Sequence, residues 1–509
     1  MTQPRFLLVP QLDLDEKWVA LAQTFPGKFL LVAGFSGLLF LHEISYWWLL
    51  SIYLLAFSAW PEKRWGVLFA ATWSFLLVGP TDFHWERISH LFISAGIPWE
   101  IHNSLAGLPL ILLTLLIAGG YIHLSQRCPQ RLRRPILVLT LFFLGMMLIA
   151  SYAPLPRTIT AGMWVFLTLL GQYYWFVCFT LKECRSPQAL SFSRQVGQYL
   201  PFWEPTVIPY PKGSGYLRKI EAKTARDFAI CQLKGLKLLI WAFWLKLFYF
   251  TASLIFFGQA GLLFDRLLLK NESGKIALYW GGRFLREISA LPHLTQLPRF
   301  ESAMNMAATG NPLPWQMNWA VLLSDFLCFL LYVAFTTHIV IAVIRMCGFN
   351  ALRNTYRPLE SKTIAEFWNR YFYYFKELLV EFFFYPTFFR YFKKRPVLRM
   401  YVATMAAAFF GNFLFHFIRD IWFVVELGFF RALFAFHTYF IYSFVLGNMI
   451  FLSQWRQEKV SQMKMGVISR WLAPVRVLGF YCLLTIFVDF RRESISENLA
   501  FFLSLFPFS

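Results

Sequence analysis

The sequence predicts an all-α, multi-pass integral membrane protein with about ten or eleven transmembrane helices, plus interfacial or re-entrant helices. Of its 509 residues, 58% are hydrophobic and 15% are charged, whereas soluble domains carry about 25% charged residues. Mean hydropathy is +0.51, and apolar runs long enough to cross a bilayer core of roughly 30 Å recur along the chain. The predicted spans are 29–60 (one long or two short crossings), 65–79, 104–124, 136–152, 160–181, 236–264, 319–346, 397–417, 427–452 and 472–490.

The intervals between these spans are too short to build a separate soluble core. Residues 1–28 are expected to form a cytoplasmic N-terminal segment, and 29–181 the N-terminal group of transmembrane helices. A basic cytoplasmic loop follows at 182–235, where prolines and glycines break regular structure before a predicted amphipathic helix at 222–234. Residues 236–509 are then expected to form the membrane core that carries the candidate site.

The formal net charge of +21 is distributed as in a multi-pass membrane protein rather than a nucleic-acid-binding protein. The turn 127–134 contains four arginines and no acid, whereas 80–102 contains three acids and one arginine. Because cytoplasmic loops are enriched in Lys and Arg, this alternation predicts a cytoplasmic N-terminus, and nucleic acid is not an expected partner. Segments 127–134, 182–235, 347–396 and 453–470 are predicted to be cytoplasmic, and 80–102, 265–314 and 418–426 to face outward.

No residue pattern indicates a metal site, a disulfide framework or a bound cofactor. The seven cysteines show no Cys-x-x-Cys spacing, and several lie in predicted spans. The dipeptide His42-Glu43 is not a zinc motif, since the second histidine of His-Glu-x-x-His is missing. No Gly-rich phosphate-binding loop precedes a predicted helix.

One histidine, His416, lies deep in the apolar run 397–417. If this run is helical, Asn412, Arg419 and Asp420 share its face, because residues three and four apart are neighbours on a helix. Ionisable groups at membrane depth are costly and usually face a polar interior or a functional cavity. His416 is therefore the first candidate for chemistry, and the alternative is a structural histidine that is hydrogen-bonded between helices.

The segment 361–386 predicts an interfacial helix that ends at Pro386, because proline removes a backbone donor. Aromatic side chains occupy much of its surface, and a polar stripe runs along one side. Such a helix is too charged to cross lipid alone and is expected at the membrane surface, or dipping into the bilayer against other helices. The stripe consists of Glu366, Arg370, Glu377 and Glu381.

Four short stretches follow one another in a characteristic order over roughly 201–506. They are Gln232-Leu233-Lys234-Gly235-Leu236-Lys237, Phe367-Trp368-Asn369-Arg370-Tyr371-Phe372, Phe413-Leu414-Phe415-His416 and Phe490-Arg491-Arg492-Glu493-Ser494-Ile495-Ser496. In this order they resemble the membrane-bound O-acyltransferase superfamily, and most closely its bacterial branch of alginate O-acetyltransferases and teichoic-acid D-alanyl transferases. The corresponding family features are a Gly-Leu-x-Lys helix entry, a Phe-Trp-Arg-Arg-Trp-His/Asn helix start, Gly-Leu-Trp-His, and Phe-Arg before a short amphipathic helix.

The chain departs from the family pattern at several of these positions, so it resembles a divergent member. Phe372 occupies the His/Asn position, and Asn369 lies three residues earlier. Phe415 replaces the tryptophan before the histidine, Phe417 replaces the glycine after it, and the Phe-Pro-x-x-x-Ala-Gly-Pro loop is missing. Either Asn369 supplies the second catalytic side chain from another part of the helix, or that function is absent.

The resemblance implies an O-acyltransferase that moves an acyl group, such as acetyl, from a cytosolic thioester to a hydroxyl. Acyl-CoA or an acyl-carrier thioester is the expected co-substrate, and a hydroxyl of an extracytoplasmic glycan or glycolipid is the expected acceptor, with a lipid alcohol as the alternative. The implied location is the bacterial inner (plasma) membrane, among lipids and beside a carrier or biosynthetic partner protein. The rival class is a non-catalytic subunit of a transport or export complex.

Within this resemblance, His416 is expected to act as the general base, since a neutral imidazole with a pKa of about 6.5 can accept the proton of an attacking hydroxyl. Asn412 or Asp420 would hold its second ring nitrogen, and Arg419 would stabilise developing negative charge. The residues expected to bind the donor are Phe367, Trp368, Arg370, His338 and His437. The alternative for the aromatic residues and the arginine is an aromatic belt with a snorkelling arginine, and the alternative for the histidines is that they only join helices.

Overall fold

The structure, a computed structural model, describes residues 9–78, 83–130, 132–184, 195–196, 212–257, 297–460, 467–488 and 494–507. In these ranges the regular secondary structure is helical, and the only β-type pairing they contain is an isolated bridge between Glu221 and Phe349. The prediction of an all-α chain is therefore confirmed for the part of the protein that the structure describes.

The α-helices of the described ranges are numbered α1 to α22 in chain order. They are α1 Glu16–Gln23, α2 Phe25–Leu41, α3 Trp47–Ala59, α4 Arg64–Val78, α5 Trp85–Ser94, α6 Leu108–Arg127, α7 Pro135–Tyr152, α8 Arg157–Glu183, α9 Ser214–Ile220, α10 Ala225–Phe257, α11 Phe300–Ala308, α12 Trp315–Met346, α13 Ile364–Tyr371, α14 Tyr373–Leu379, α15 Tyr385–Arg390, α16 Pro396–Met405, α17 Asn412–Arg419, α18 Trp422–Leu427, α19 Phe429–Ala435, α20 His437–Val460, α21 Val467–Leu484 and α22 Ile495–Leu503.

Among the described residues, six helices are long and apolar enough to cross a membrane, or up to eight if each of two bent pairs forms one span. The six are α6, α7, α8, α10, α12 and the run Pro396–Arg419; the bent pairs are α1 with α2 (102°) and α19 with α20 (55°). The multi-pass membrane character is thus supported, and the figure of ten or eleven crossings stays a prediction. Shorter apolar helices occur at Trp47–Ala59 and Leu472–Phe487.

The first predicted span, 29–60, forms two helices, α2 and α3, joined by a tight turn. Glu43 and Tyr46 in this turn both have a left-handed backbone, with φ of 59°. The turn is closed from the side by Lys246 of α10, whose Nζ donates to the His42 carbonyl over 2.8 Å and lies 3.7 Å from a Glu43 carboxylate oxygen. A buried lysine thereby holds the tip of the hairpin.

Helices α10 and α12 form the most extensive helix pair of the described chain. The predicted amphipathic helix 222–234 and the predicted span 236–264 are one continuous helix as far as Phe257, and residues 258–264 lie outside the described ranges. The two helices approach most closely at Gly235, where a Cβ would lie only 2.9 Å from the carbonyl oxygen of Ala342. Glycine is required here because the neighbouring backbone occupies the space of a side chain.

The predicted interfacial helix 361–386 is a chain of short helices rather than a single one. It comprises α13, α14, a π-helical turn at Val380–Phe384, and α15. The prediction that Pro386 ends the helix is wrong, because Pro386 closely follows the π-helical turn and the chain stays helical through it. The helix continues to Arg390.

The apolar run around His416 contains a second π-helical turn, Ala406–Gly411, between α16 and α17. The two π-helical turns pack against each other: the rings of Phe383 and Phe410 lie 6.1 Å apart, and a Cβ at Gly411 would lie 2.6 Å from Cδ2 of Phe383. Such turns carry one extra residue and are frequent at functional sites. The turn Ala406–Gly411 leads into α17, which lies beside α8. The apolar segment of α8 is 89% buried inside the protein.

Candidate functional site

His416 lies on α17 in a cluster of aromatic rings contributed by three helices. Its ring centroid is 4.4 Å from Tyr439 of α20, 5.3 Å from Phe415 and 5.9 Å from Phe375 of α14. The side chain is half-buried, so the imidazole is neither sealed in the core nor open on the surface. Rings on several sides restrict its rotation, as a group that must meet a substrate in one orientation requires.

A hydrogen bond between α17 and α20 lies next to this ring. The hydroxyl of Tyr439 donates to Oδ1 of Asn412 over 2.9 Å, and Asn412 is 0% exposed. In the described part of the chain, Nδ2 of Asn412 has no hydrogen-bond partner. Buried donors without partners are rare, so the Asn412 amide is an unusual polar group between α17 and α20.

Arg419 and Asp420, at the end of α17, pair with each other in a two-point contact. Nε of Arg419 lies 3.0 Å from Oδ1 of Asp420, and its NH2 group lies 2.8 Å from Oδ2. Side-by-side pairing of this type is the strongest geometry for Arg and carboxylate. The two charges thereby compensate each other, and the roles expected for these residues toward His416 stay predictions.

Helix α13, which carries Phe367 and Trp368, is linked to the histidine through a series of aromatic contacts. Phe367 is 1% exposed and stacks on Tyr481 at 4.1 Å, while Trp368 packs on Phe375 at 5.9 Å. Phe375 in turn touches the ring of His416. Phe375 therefore links the Phe367-Trp368 stretch to His416, which lies about fifty residues later in the sequence.

The structure does not bring Asn369 into this cluster. It is exposed, because α13 buries Phe367, Trp368 and Tyr371 and so turns Asn369 away from the core. Arg370 stays at the surface end of the helix, where its NH2 group lies 2.7 Å from Oε1 of Glu366. The positions of Asn369 and Arg370 therefore give no support to a role beside His416.

The other two membrane histidines differ from His416. His437 makes local contacts with Phe434: its Nδ1 lies 2.8 Å from the carbonyl oxygen of Phe434, and its ring stacks on the Phe434 ring at 5.3 Å. His338 is buried in α12, and its Nδ1 has no hydrogen-bond partner in the described residues. The geometry therefore favours a helix-capping function for His437 and leaves His338 as an internal polar group.

Tyr439 is the residue of this site that sequence reasoning missed. A tyrosine two residues after His437 does not stand out in a chain with 20% aromatic residues. The available signal was the pair Tyr439 and Tyr442, three residues apart on one helix face; their rings lie 5.1 Å from each other.

Two acids of the polar stripe of 361–386 form ion pairs with lysines of α8, of α14 itself and of the segment before α9. Glu377 receives hydrogen bonds from Lys212 and Lys376, and Glu381 pairs with Lys182. Burial by itself raises the pKa of Glu377, but the two lysine bonds and charges outweigh it, so the pKa of this carboxyl is held below its usual 4.5. These contacts fix α14, and with it Phe375, against the N-terminal half of the protein.

The other stretches of the resemblance are only partly covered by the structure. Gln232 is buried and donates to the carbonyl of Met346 over 3.0 Å, which ties α10 to the end of α12. Phe490 to Glu493 lie outside the described residues, and Ser494 caps α22 together with Glu497. In the described ranges no group of three or more His, Cys, Asp or Glu side chains is placed to hold a metal ion.

Comparison with known proteins adds no family to this picture. No protein-family model matches the sequence, and no curated protein matches it significantly. The likeness to membrane-bound O-acyltransferases therefore rests on the sequence motifs.

Proposed function

We propose that this protein is a membrane O-acyltransferase of the membrane-bound O-acyltransferase type, with His416 as its general base. The observation that carries the proposal is the contact of Phe375, on the helix following Phe367-Trp368, with the ring of His416. The resemblance would place the Phe367-Trp368 stretch and His416 in one active site, and Phe375 contacts both. Their separation in the sequence does not by itself require this proximity. The donor is a cytosolic acyl thioester, and the acceptor is a hydroxyl of an extracytoplasmic glycan or glycolipid.

In the proposed reaction His416 takes the proton of the acceptor hydroxyl while that oxygen attacks the thioester carbonyl. The new C–O bond forms, the C–S bond breaks, and the departing thiolate takes the proton back from the imidazolium. The unpartnered Nδ2 of Asn412 is the candidate donor to the oxyanion of the intermediate. General-base help of this kind contributes roughly 10²–10⁴ in rate.

The test is transfer of label from radioactive acyl-CoA in membranes that contain equal amounts of wild type, His416→Ala or His123→Ala. His123 is an exposed histidine on α6 and serves as the matched control. We expect label in a glycan or lipid fraction with wild type and the control, and a loss of at least about 10² with His416→Ala. Equal transfer by His416→Ala would remove the assignment, and the labelled fraction identifies the acceptor class.

The second candidate is a subunit of a transport or export complex, and one observation favours it. His42 and Lys246 are buried, beside Glu43, at the hairpin of α2 and α3, and Nδ1 of His42 has no hydrogen-bond partner in the described residues. Ionisable groups held inside a membrane protein often mark ion or proton paths. Under this alternative no membrane preparation transfers the label. Lys246→Met then abolishes transport in an assay that contains no acyl donor.

A further inference from the structure

An exposed basic turn joins α15 to α16. Arg390, Lys393, Lys394 and Arg395 are all exposed, and in the described residues none of the four has an acidic side chain at ion-pair distance. Clusters of four or more basic residues beside a membrane span attract anionic lipid, at about 1 kcal/mol per Lys or Arg. The concentrated positive charge therefore favours an anion from outside the described chain.

An open groove of about 640 Å³ begins at this turn. Its lining is mostly apolar, with Val397, Leu398, Tyr401 and Phe451, and it also includes Lys394 and Arg395 from the basic turn. The apolar wall is held in place, since the rings of Tyr401 and Phe451 meet at 5.0 Å and the Tyr401 hydroxyl donates to Oδ1 of Asn448 over 3.3 Å.

The groove lies at the first turn of a candidate membrane span, where headgroups are expected to meet the hydrocarbon. The run Pro396–Arg419 is a candidate span, and it begins at the charged end of the groove. The first turn of α16 adds to the positive field, because Arg395 makes no side-chain cap and Pro396 has no N–H, so the backbone N–H groups of Val397 and Leu398 face outward. Val397 is 50% exposed.

We propose that this groove binds an anionic phospholipid, with its phosphate at Lys394, Arg395 and the start of α16, and one acyl chain along Val397, Leu398, Tyr401 and Phe451. A free phosphate would satisfy the cations but leave the apolar wall uncovered, and a neutral lipid would cover the wall but leave the cations without an anion. Only a ligand that joins a phosphate to a hydrocarbon chain matches both ends. The proposal does not depend on the proposed acyl transfer.

The experiment is native mass spectrometry of the full-length protein in detergent, titrated with phosphatidylglycerol, phosphatidylcholine of the same chains, or glycerol 3-phosphate. Lys394→Gln/Arg395→Gln removes the phosphate contacts, and Val397→Trp fills the apolar end while keeping the charges. Arg127→Gln/Arg134→Gln is the control, because it removes two exposed arginines from the turn before α7, which also begins with a proline.

We expect phosphatidylglycerol to bind tightest, and the 394/395 pair of substitutions to weaken it roughly 30-fold, which equals about 2 kcal/mol for two cations. Val397→Trp should also weaken it, the control pair should change it less than about 3-fold, and glycerol 3-phosphate should not be retained. Equal binding of phosphatidylcholine, equal loss in the control pair, an unaffected Val397→Trp, or retention of glycerol 3-phosphate would each overturn the proposal. So would a protein dimer that the 394/395 substitutions dissociate, since the occupant would then be a second copy.

Discussion

Removing the hydroxyl of Tyr439 tests whether its bond to Asn412 stabilises the candidate site. In Tyr439→Phe, Oδ1 of Asn412 loses its 2.9 Å partner while Asn412 stays fully buried. An unsatisfied buried acceptor costs about 1–3 kcal/mol, whereas interhelical bonds between membrane helices average about 0.6 and reach about 1.7 kcal/mol. We expect a loss of about 1–2 kcal/mol, because Nδ2 of the same buried amide already lacks a partner in the described residues.

The measurement is a double-mutant cycle on the free energy of unfolding, obtained by SDS titration in mixed micelles. Tyr439→Phe removes the donor of this bond and Asn412→Leu removes its acceptor, whereas the double variant removes both and should lie close to wild type. If the two single losses simply add in the double variant, or if Tyr439→Phe costs less than about 0.3 kcal/mol, the bond has no energetic role and the reasoning fails.

The same variants separate structure from chemistry. If Nδ2 of Asn412 donates to the oxyanion, Asn412→Leu loses roughly 10²–10³ in transfer rate, and the double variant stays inactive although its stability is restored. Tyr439→Phe keeps the amide and should lose much less activity. Recovery of transfer in the double variant would show that Asn412 has no part in the reaction beyond folding.

Two further outcomes follow from contacts of the folded chain. Gly235→Leu should destabilise the α10–α12 pair by about 1–3 kcal/mol, because the added side chain meets the Ala342 carbonyl, whereas Gly120→Leu, which has open space around it, should not; equal melting temperatures would contradict the close contact. Because the lysine contacts hold the pKa of Glu377 below 4.5, its contribution to stability is present above about pH 4.5 and is lost as the pH falls through the folded-state value. The difference in Tm between wild type and Glu377→Gln should therefore shrink from pH 7 to pH 3.5. A difference that does not change with pH would refute the stabilising role of the contacts from Lys212 and Lys376 to Glu377.

Hydropathy located the membrane helices well, because bilayer thickness is a constraint that acts on sequence alone. The predicted span 319–346 and the helix Trp315–Met346 end at the same residue, and 136–152 begins one residue inside Pro135–Tyr152. The merging of 222–234 with the following span was not predicted, since the continuous packing of α10 on α12 decides it. Hydropathy profiles do not record which polar helix faces find a partner.

The candidate site was predicted only in part for a similar reason. His416 stands out because an ionisable residue in an apolar run is costly. Asn369 was selected because it lies three residues before Phe372, which occupies the family's His/Asn position, but the side of α13 that becomes buried depends on packing against Tyr481 and Phe375. Tyr439 could not be distinguished from the many other aromatic residues until its hydroxyl was seen to meet Asn412.

The paired π-helical turns have a consequence for insertions and deletions. Each residue of an α-helix advances the chain by about 100° around the axis, so the extra residue of Ala406–Gly411 sets the angular position of everything that follows it. Deleting one residue there would rotate His416 by about that angle, away from Tyr439 and Phe375. The length of this segment is therefore more tightly constrained than its composition, and neutral drift should substitute Ala406, Ala407 or Ala408 far more readily than remove one of them.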